Sequence, residues 1–385
     1  MVKRLFLSIL LLGIAFVAVR CQSSKPDNAV HEKIDSIRKE YGNIGLAVVV
    51  VKEGRVVYSE TFGYNPDPDD PTKGTPIRKD DLFYIASVSK TFVGTAIMQL
   101  VEKGKISLDD DVNKHLDFSL RNPSFPDTPI TIRMLLAHRS SLKKGAEYND
   151  FDKINPEKAG DVNGFFNDDQ PGTKTDYSNL GYVILGAVVE KVSGMRFDAY
   201  VQKNILTPLH LHGGYDVTRL DSSKFVWPCR YNAKKDCFVV QKKAYTTDTT
   251  MLAQYRLGYS TPVLNPAGGL KISVQDLAEY MIMHIENGKH GKYDRVLTKE
   301  MEKEMQSRQF KTVHGLSLVH FKNIIPGEEL VGMNGANHGI HSAMFFHPTK
   351  KYGFVVICNG CKSKTYADSG LNKKVIRELY KTLIN

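Results

Sequence analysis

No repeat, no low-complexity segment and no apolar run long enough to cross a bilayer occurs in the 385 residues. Tryptophan is nearly missing, with one residue, and cysteine is scarce, with five. Charge of one sign is also lacking, since 52 Lys and Arg stand against 42 Asp and Glu. These absences exclude a collagen-like repeat, a multispanning membrane protein and a fold held together by staples. An excess of ten positive charges spread along the chain reads as a solvated surface, not a nucleic-acid interface. The histidines show no HExxH or comparable ligand spacing, so neither a metal nor a cofactor is expected. What remains is a globular composition, 42% apolar and 24% charged, which excludes disorder. At about 150 residues per domain, the length predicts two to three lobes.

Lys3 and Arg4 precede an apolar run at 5–19, so residues 1–20 read as a signal peptide. Its loss removes Lys3, Arg4 and Arg20 and no acid, leaving a charge of +7. Cys21 stands where a bacterial lipoprotein signal places its lipid-bearing cysteine, with Gln22-Ser23-Ser24 as a tether. Arg20 departs from the small residue that such a signal wants. Both lipid anchoring and simple cleavage export the protein, as a membrane-anchored lipoprotein or a periplasmic one. Besides Cys21, four cysteines allow three pairings, and in an oxidising compartment Cys229 and Cys237 are able to close the base of a short hairpin. Cys358-Asn359-Gly360-Cys361 has the spacing of a redox or zinc pair but stands alone, so it reads first as a thiol pair or small disulfide at a strand end.

Val30, Ile34 and Ile37 repeat at helical spacing over 28–40. Two β-branched runs, 44–51 and 55–62, join at Glu53-Gly54 as a hairpin, and the Pro- and Asp-rich stretch 65–71 is a surface loop. Helical patterns follow at 91–103, stopped by Gly104, and at 179–193, stopped by Gly194. Ser273 and Asp276 form a capping box ahead of a helix to about Asn287. Strands return at 342–346 and 352–357, before a terminal helix at 372–383. Strands at both ends with helices between predict an α/β lobe built from both termini, a helical lobe inserted in its middle, and a cleft between them.

Ser87 and Lys90 are three residues apart at a helix start, so hydroxyl and amine share one face a turn apart. A serine hydroxyl is a poor nucleophile without a base beside it, and a lysine whose pKa is lowered can be that base. The helix N-terminus adds backbone N–H groups for developing negative charge. The same spacing occurs at Ser36/Lys39, Ser140/Lys143 and Ser141/Lys144, but only Ser87 follows an apolar lead-in, Leu82 to Ala86, into a helix start. Tyr177-Ser178-Asn179 opens the second central helix. There the tyrosine suits a phenolate base and Asn179 a bridge between lysine and substrate.

Ile85-Ala86-Ser87-Val88-Ser89-Lys90 and Tyr177-Ser178-Asn179 resemble the first two motifs of the serine β-lactamase superfamily. The branch is that of class C β-lactamases, D-alanyl-D-alanine carboxypeptidases and family VIII carboxylesterases. The segments 130–138, Pro171-Gly172-Thr173, 176–181 and Pro266-Ala267-Gly268-Gly269-Leu270 are similar too, and the resemblance covers about 30–383. It implies a β-lactamase/transpeptidase-like fold, with an antiparallel sheet flanked by N- and C-terminal helices. The catalytic domain then spans 26–385, its α/β lobe about 28–85 and 265–385, its helical lobe about 86–264.

By the same resemblance Ser87 attacks an acyl carbonyl, Lys90 and Tyr177 relay its proton, and Asn179 positions the substrate. The third motif falls on Met333-Asn334-Gly335, and the N–H groups of Ala336 and Ser87 form the oxyanion hole. Met333 departs from the Lys or His usual there and resembles the apolar residue of family esterases. An alternative register runs through Asn337-His338-Gly339, with His338 or His341 as the cation. The expected activity is an exported serine hydrolase acting on a small-molecule ester or amide. The alternatives are an O-acyltransferase with an alcohol acceptor such as a sugar or sterol, a D-amino-acid peptidase or β-lactamase, and a non-catalytic acylated binder.

Overall fold

The computed structural model describes residues 28–291, 295–362 and 370–385. The signal segment and Cys21 lie outside the described residues. The N-terminal part supplies strands β1 (Gly45–Lys52), β2 (Arg55–Pro66), β3 (Gly74–Pro76) and β4 (Leu82–Tyr84). The middle supplies β5 (Gly213–Gly214), β6 (Phe225–Val226), β7 (Cys229–Asn232), β8 (Cys237–Val240) and β9 (Lys271–Ile272). The C-terminal part supplies β10 (Val319–Phe321), β11 (Leu330–Asn337), β12 (Ile340–His347) and β13 (Tyr352–Cys358). Seven of them form one antiparallel sheet in the order β10-β11-β12-β13-β1-β2-β3, so chain ends meet at β13 and β1. A smaller sheet runs β5-β9-β4-β6.

Alternation along these strands sends side chains to two cores. Val48, Val50, Phe354 and Val356 pack under the helices Asn28–Glu40 and Gly370–Leu383. Val49, Val51, Val355 and Ile357 face the interior helices, Lys90–Glu102, Asn179–Ser193 and Val274–Ile285. The first two of these interior helices are almost wholly buried, which positions their N-termini without exposed flexibility.

Local signals read well where their cause is local. Glu53 and Gly54 take φ of 50° and 68°, the left-handed pair a two-residue hairpin turn needs. Gly194 ends its helix at φ 70°, and Ser273 accepts a hydrogen bond from the Asp276 N–H at 3.0 Å while its hydroxyl donates to the Asp276 carboxylate.

The cysteine expectation fails on register. Cys229 pairs with Val240 and Cys237 with Asn232, so the two thiols lie at opposite ends of the hairpin. All four described cysteines are thiols.

Candidate active site

Ser87 sits on a 3₁₀ turn, Ala86–Ser89, that runs into the helix Lys90–Glu102. Ala86 holds φ at 46°, a conformation that costs an L-residue energy and persists only where neighbours enforce it. They do. Ile85 N–H donates to Leu270 O at 3.1 Å, Ser342 Oγ donates to Ile85 O at 2.7 Å, and Ser89 Oγ donates to Ala86 O at 2.6 Å.

Lys90 is fully buried, among the described residues no carboxylate pairs with it, and burial holds its pKa well below the usual lysine value. Its Nζ lies 2.8 Å from Asn179 Oδ1, 2.7 Å from Ala267 O and 3.1 Å from Ser87 Oγ. A neutral amine has two N–H donors and one lone pair. The two short contacts match the donors, and the longer one leaves the lone pair facing the serine hydroxyl.

Tyr177 Oη donates to Ser87 Oγ at 2.6 Å. The environment works against the phenolate expected from the sequence. Burial pushes the Tyr177 pKa up, and a lysine that itself resists charging gives a phenolate no stable cation. Ser87 thus lies between an amine able to take its proton and a phenol that keeps its own.

Asn179 begins its helix behind the cap Ser178, whose Oγ accepts from Gly181 N–H at 3.3 Å. Ser178 N–H in turn donates to His138 Nδ1 at 3.1 Å, and the His138 ring lies 4.4 Å from that of Tyr177. Burial keeps His138 well below the ordinary histidine pKa, so it stays a neutral acceptor and a platform for Tyr177.

The third element is β11. A Cβ on Gly335 would stand 2.5 Å from Ile85 O and 2.8 Å from Ser87 N, so only glycine lets this strand press against the nucleophile turn. β10 covers β11 only at 330–332, leaving the edge at 333–337 free on that side. His341, across from Ala336, turns its N–H toward Cys358 on β13, so Ala336 turns its own toward the free edge. Met333 shares the face of Gly335 but is buried, with 4% exposure, outside the cavity lining. Asn334 is exposed and also outside it.

Of the alternative register Asn337 lines the cavity at Ser87, and His338 and Gly339 do not. His338 and Gly339, at φ 53° and 93°, are the β11–β12 turn, and Gly339 packs against Cys229 O. His341 shares the outer face of Ala343 and Phe345, away from Ser87. Neither Ser36 nor Ser140 nor Ser141 gains a lysine base: Lys39 pairs with Asp35 at 2.7 Å, and Lys143 and Lys144 are exposed.

A cavity of about 160 Å³ opens at Ser87, lined also by Asn179, Ala336, Tyr84, Tyr148, Asn265, Ala267, Gly268 and Asn337. Tyr84 accepts from Asn337 Nδ2 at 3.1 Å. Tyr84, Tyr148, Asn265 and His138 carry no motif of their own. The similarity of the segments 130–138 and Pro266 to Leu270 was the available signal for His138, Ala267 and Gly268.

The chain matches the Beta-lactamase family over residues 30–374. It is 26% identical over 351 residues to Protein flp of Staphylococcus aureus (strain NCTC 8325 / PS 47), covering 86% of this chain and 64% of that protein. The chain thus spans less than two thirds of the curated relatives it matches first. Among solved structures, the octameric penicillin-binding protein homologue from Pyrococcus abyssi superposes with a TM-score of 0.69 and 27% identity, covering 87% of this chain and 74% of that one. A class C beta lactamase from Rhodobacter sphaeroides shares the fold at a TM-score of 0.68 and 18% identity, covering 93% and 100%. A D-amino acid amidase from Ochrobactrum anthropi SV3 does so at 0.68 and 20%, covering 92% and 98%. With its fold, its nucleophile turn and most of its length in agreement, the chain belongs to the beta-lactamase family.

Proposed function

We propose that this serine hydrolase-fold protein cleaves small neutral esters or amides through an acyl-enzyme on Ser87. The observation that carries the reading is the placement of Ser87 Oγ, 3.1 Å from a buried amine and 2.6 Å from a phenol that donates to it. Lys90 takes the hydroxyl proton as Ser87 attacks the acyl carbonyl, and the N–H groups of Ser87 and Ala336 receive the oxyanion. The proton held by Lys90 passes to the leaving group as the intermediate collapses, while Tyr177 keeps its own and holds Ser87 Oγ through its hydrogen bond. Water then attacks the acyl-enzyme by the reverse relay.

Two features favour a substrate without a carboxylate. Among the described residues no cationic side chain lines the cavity, and Lys90 is committed to Asn179, Ala267 and Ser87. The cavity is also smaller than the roughly 300–1,000 Å³ usual for a drug-sized ligand. We extend the proposal to export, from the basic and apolar pattern of residues 1–20. The test is hydrolysis of a p-nitrophenyl acyl ester, with and without added alcohols, and products identified by mass spectrometry. Free acid alone supports a hydrolase, and a new ester at the alcohol's expense would make the protein a transferase. Ser87→Ala should abolish turnover and labelling by a serine-directed phosphonate while keeping the fold. Retention of more than about a hundredth of the rate would remove Ser87 from its role.

A further inference from the structure

Away from the cavity, two thiols meet on the outer face of the sheet, with a histidine on the neighbouring strand. Cys358 ends β13 with no exposure, Cys361 follows with 7%, and their thiols are in hydrogen-bonding contact. His341 on β12 stands directly opposite Cys358, on the same face, and its Nδ1 is buried without a hydrogen-bond partner. Such a nitrogen is costly to bury unless something uses it.

The bend between the two cysteines is held on both sides. Cys229 N–H donates to Asn359 O at 2.6 Å, Ile44 N–H and Asn43 Nδ2 donate to Gly360 O at 3.0 and 2.7 Å, and Lys362 N–H donates to Tyr41 O at 3.1 Å. The two thiols are therefore presented to each other, not left to meet by chance. Backbone N–H groups of His341 and Gly360 point at the Cys358 sulfur. Those donors stabilise a thiolate in the step that forms or opens a sulfur–sulfur bond. Among the described residues no cluster of three or more His, Cys, Asp or Glu is arranged to hold a metal ion.

We propose that Cys358 and Cys361 are a redox-active dithiol, closed to an intramolecular disulfide by exchange with a low-molecular-weight disulfide. Cys361, the more exposed, attacks one sulfur of the external disulfide as thiolate, forming a mixed disulfide and releasing one thiolate. Cys358 gives its proton to the first thiolate released and attacks the Cys361 sulfur, releasing the second. Two protein thiols are oxidised, one external disulfide is reduced to two thiols, and the protons lost by the cysteines end on the leaving thiolates. Resting Cys358 stays protonated, because contact with Cys361 and burial both hold its pKa far above the usual value. Exchange therefore waits on Cys361.

The experiment equilibrates the purified full chain with graded ratios of oxidised to reduced glutathione, then blocks free thiols with N-ethylmaleimide. Trypsin releases both cysteines in one peptide, 352–362, separate from Cys229 and Cys237. The expected result is a peptide two hydrogens lighter and unlabelled, growing with the ratio and reverting with a phosphine reductant. Full labelling of both cysteines at every ratio overturns the proposal, as does a cross-link to Cys229 or Cys237. Cys358→Ala should leave Cys361 as a stable mixed disulfide with glutathione. Selective modification of Cys358 in Cys361→Ala would overturn the order of attack.

Discussion

Replacing Lys90 by methionine tests the site where its chemistry is most exposed to error. Methionine fills nearly the same volume but cannot donate to Asn179 Oδ1 or Ala267 O, nor accept the Ser87 proton. Loss of a general base costs about 10²- to 10⁴-fold, so kcat/KM on a neutral ester should fall by that factor. Two stranded buried acceptors cost about 1–3 kcal/mol each, partly offset by removing a buried amine that resists charge. The variant should therefore fold, with a lower Tm.

The pH profile of the wild type supplies the second half. An ordinary lysine is neutral in about one molecule per thousand at pH 7.5. If burial lowers the Lys90 pKa as its surroundings dictate, that penalty is largely removed. Activity should rise with pH on a limb well below 10 and then level, because the neutral amine is the working form. The assay is kcat/KM for a neutral ester from pH 5 to 10, wild type against variant, with circular dichroism at each pH. A tenfold rise per unit persisting through pH 9–10 would show that Lys90 titrates as an exposed lysine and refute the reasoning. So would a folded Lys90→Met with a tenth of the wild-type rate.

Tyr177→Phe should lower kcat by about a hundredfold, and combined with Lys90→Met the losses should be strongly non-additive, since both hold one hydroxyl; full additivity in a double-mutant cycle would separate their roles. Met333→Lys should leave acylation by a carboxylate-bearing chromogenic cephalosporin close to the wild-type rate, because the side chain lies outside the cavity lining, and should lower Tm because the site is buried. A gain of about tenfold, the worth of one hydrogen bond to a charged group, would place Met333 within the substrate's reach. Lys271, buried with one hydrogen bond of 3.3 Å to Tyr215 O, has its pKa lowered by burial to about 7. Unfolding lets it bind a proton, so between pH 7 and 10 its contribution makes stability rise with pH, by at most about 1.4 kcal/mol per unit. Lys271→Met should raise stability at pH 7 and flatten that slope in urea titrations. An unaltered slope would mean the lysine is charged in the fold.

What the amino-acid order determines alone is what depends on near neighbours. Ser87 and Lys90 meet because a helical turn returns the chain after three residues. The turn at Glu53-Gly54, the stop at Gly194 and the Ser273 cap rest on equally short-range sterics and hydrogen bonds. Resemblance carried the reading across ninety residues to Tyr177 and Asn179, and to Gly335 further on. Tertiary structure decided the rest. Ala267 serves Lys90 through a backbone carbonyl, which has no side-chain signature, and His138 acts through the N–H of Ser178. Tyr84 and Tyr148 look like core residues until the walls of the cavity close around them. The hairpin register that parts Cys229 from Cys237, and the contact that joins Cys358 to Cys361, depend on which strands pair and in what phase. Whether Lys90 or Tyr177 gives up its proton more readily depends on burial. Burial is a property of every atom packed around a group, and no stretch of sequence contains it.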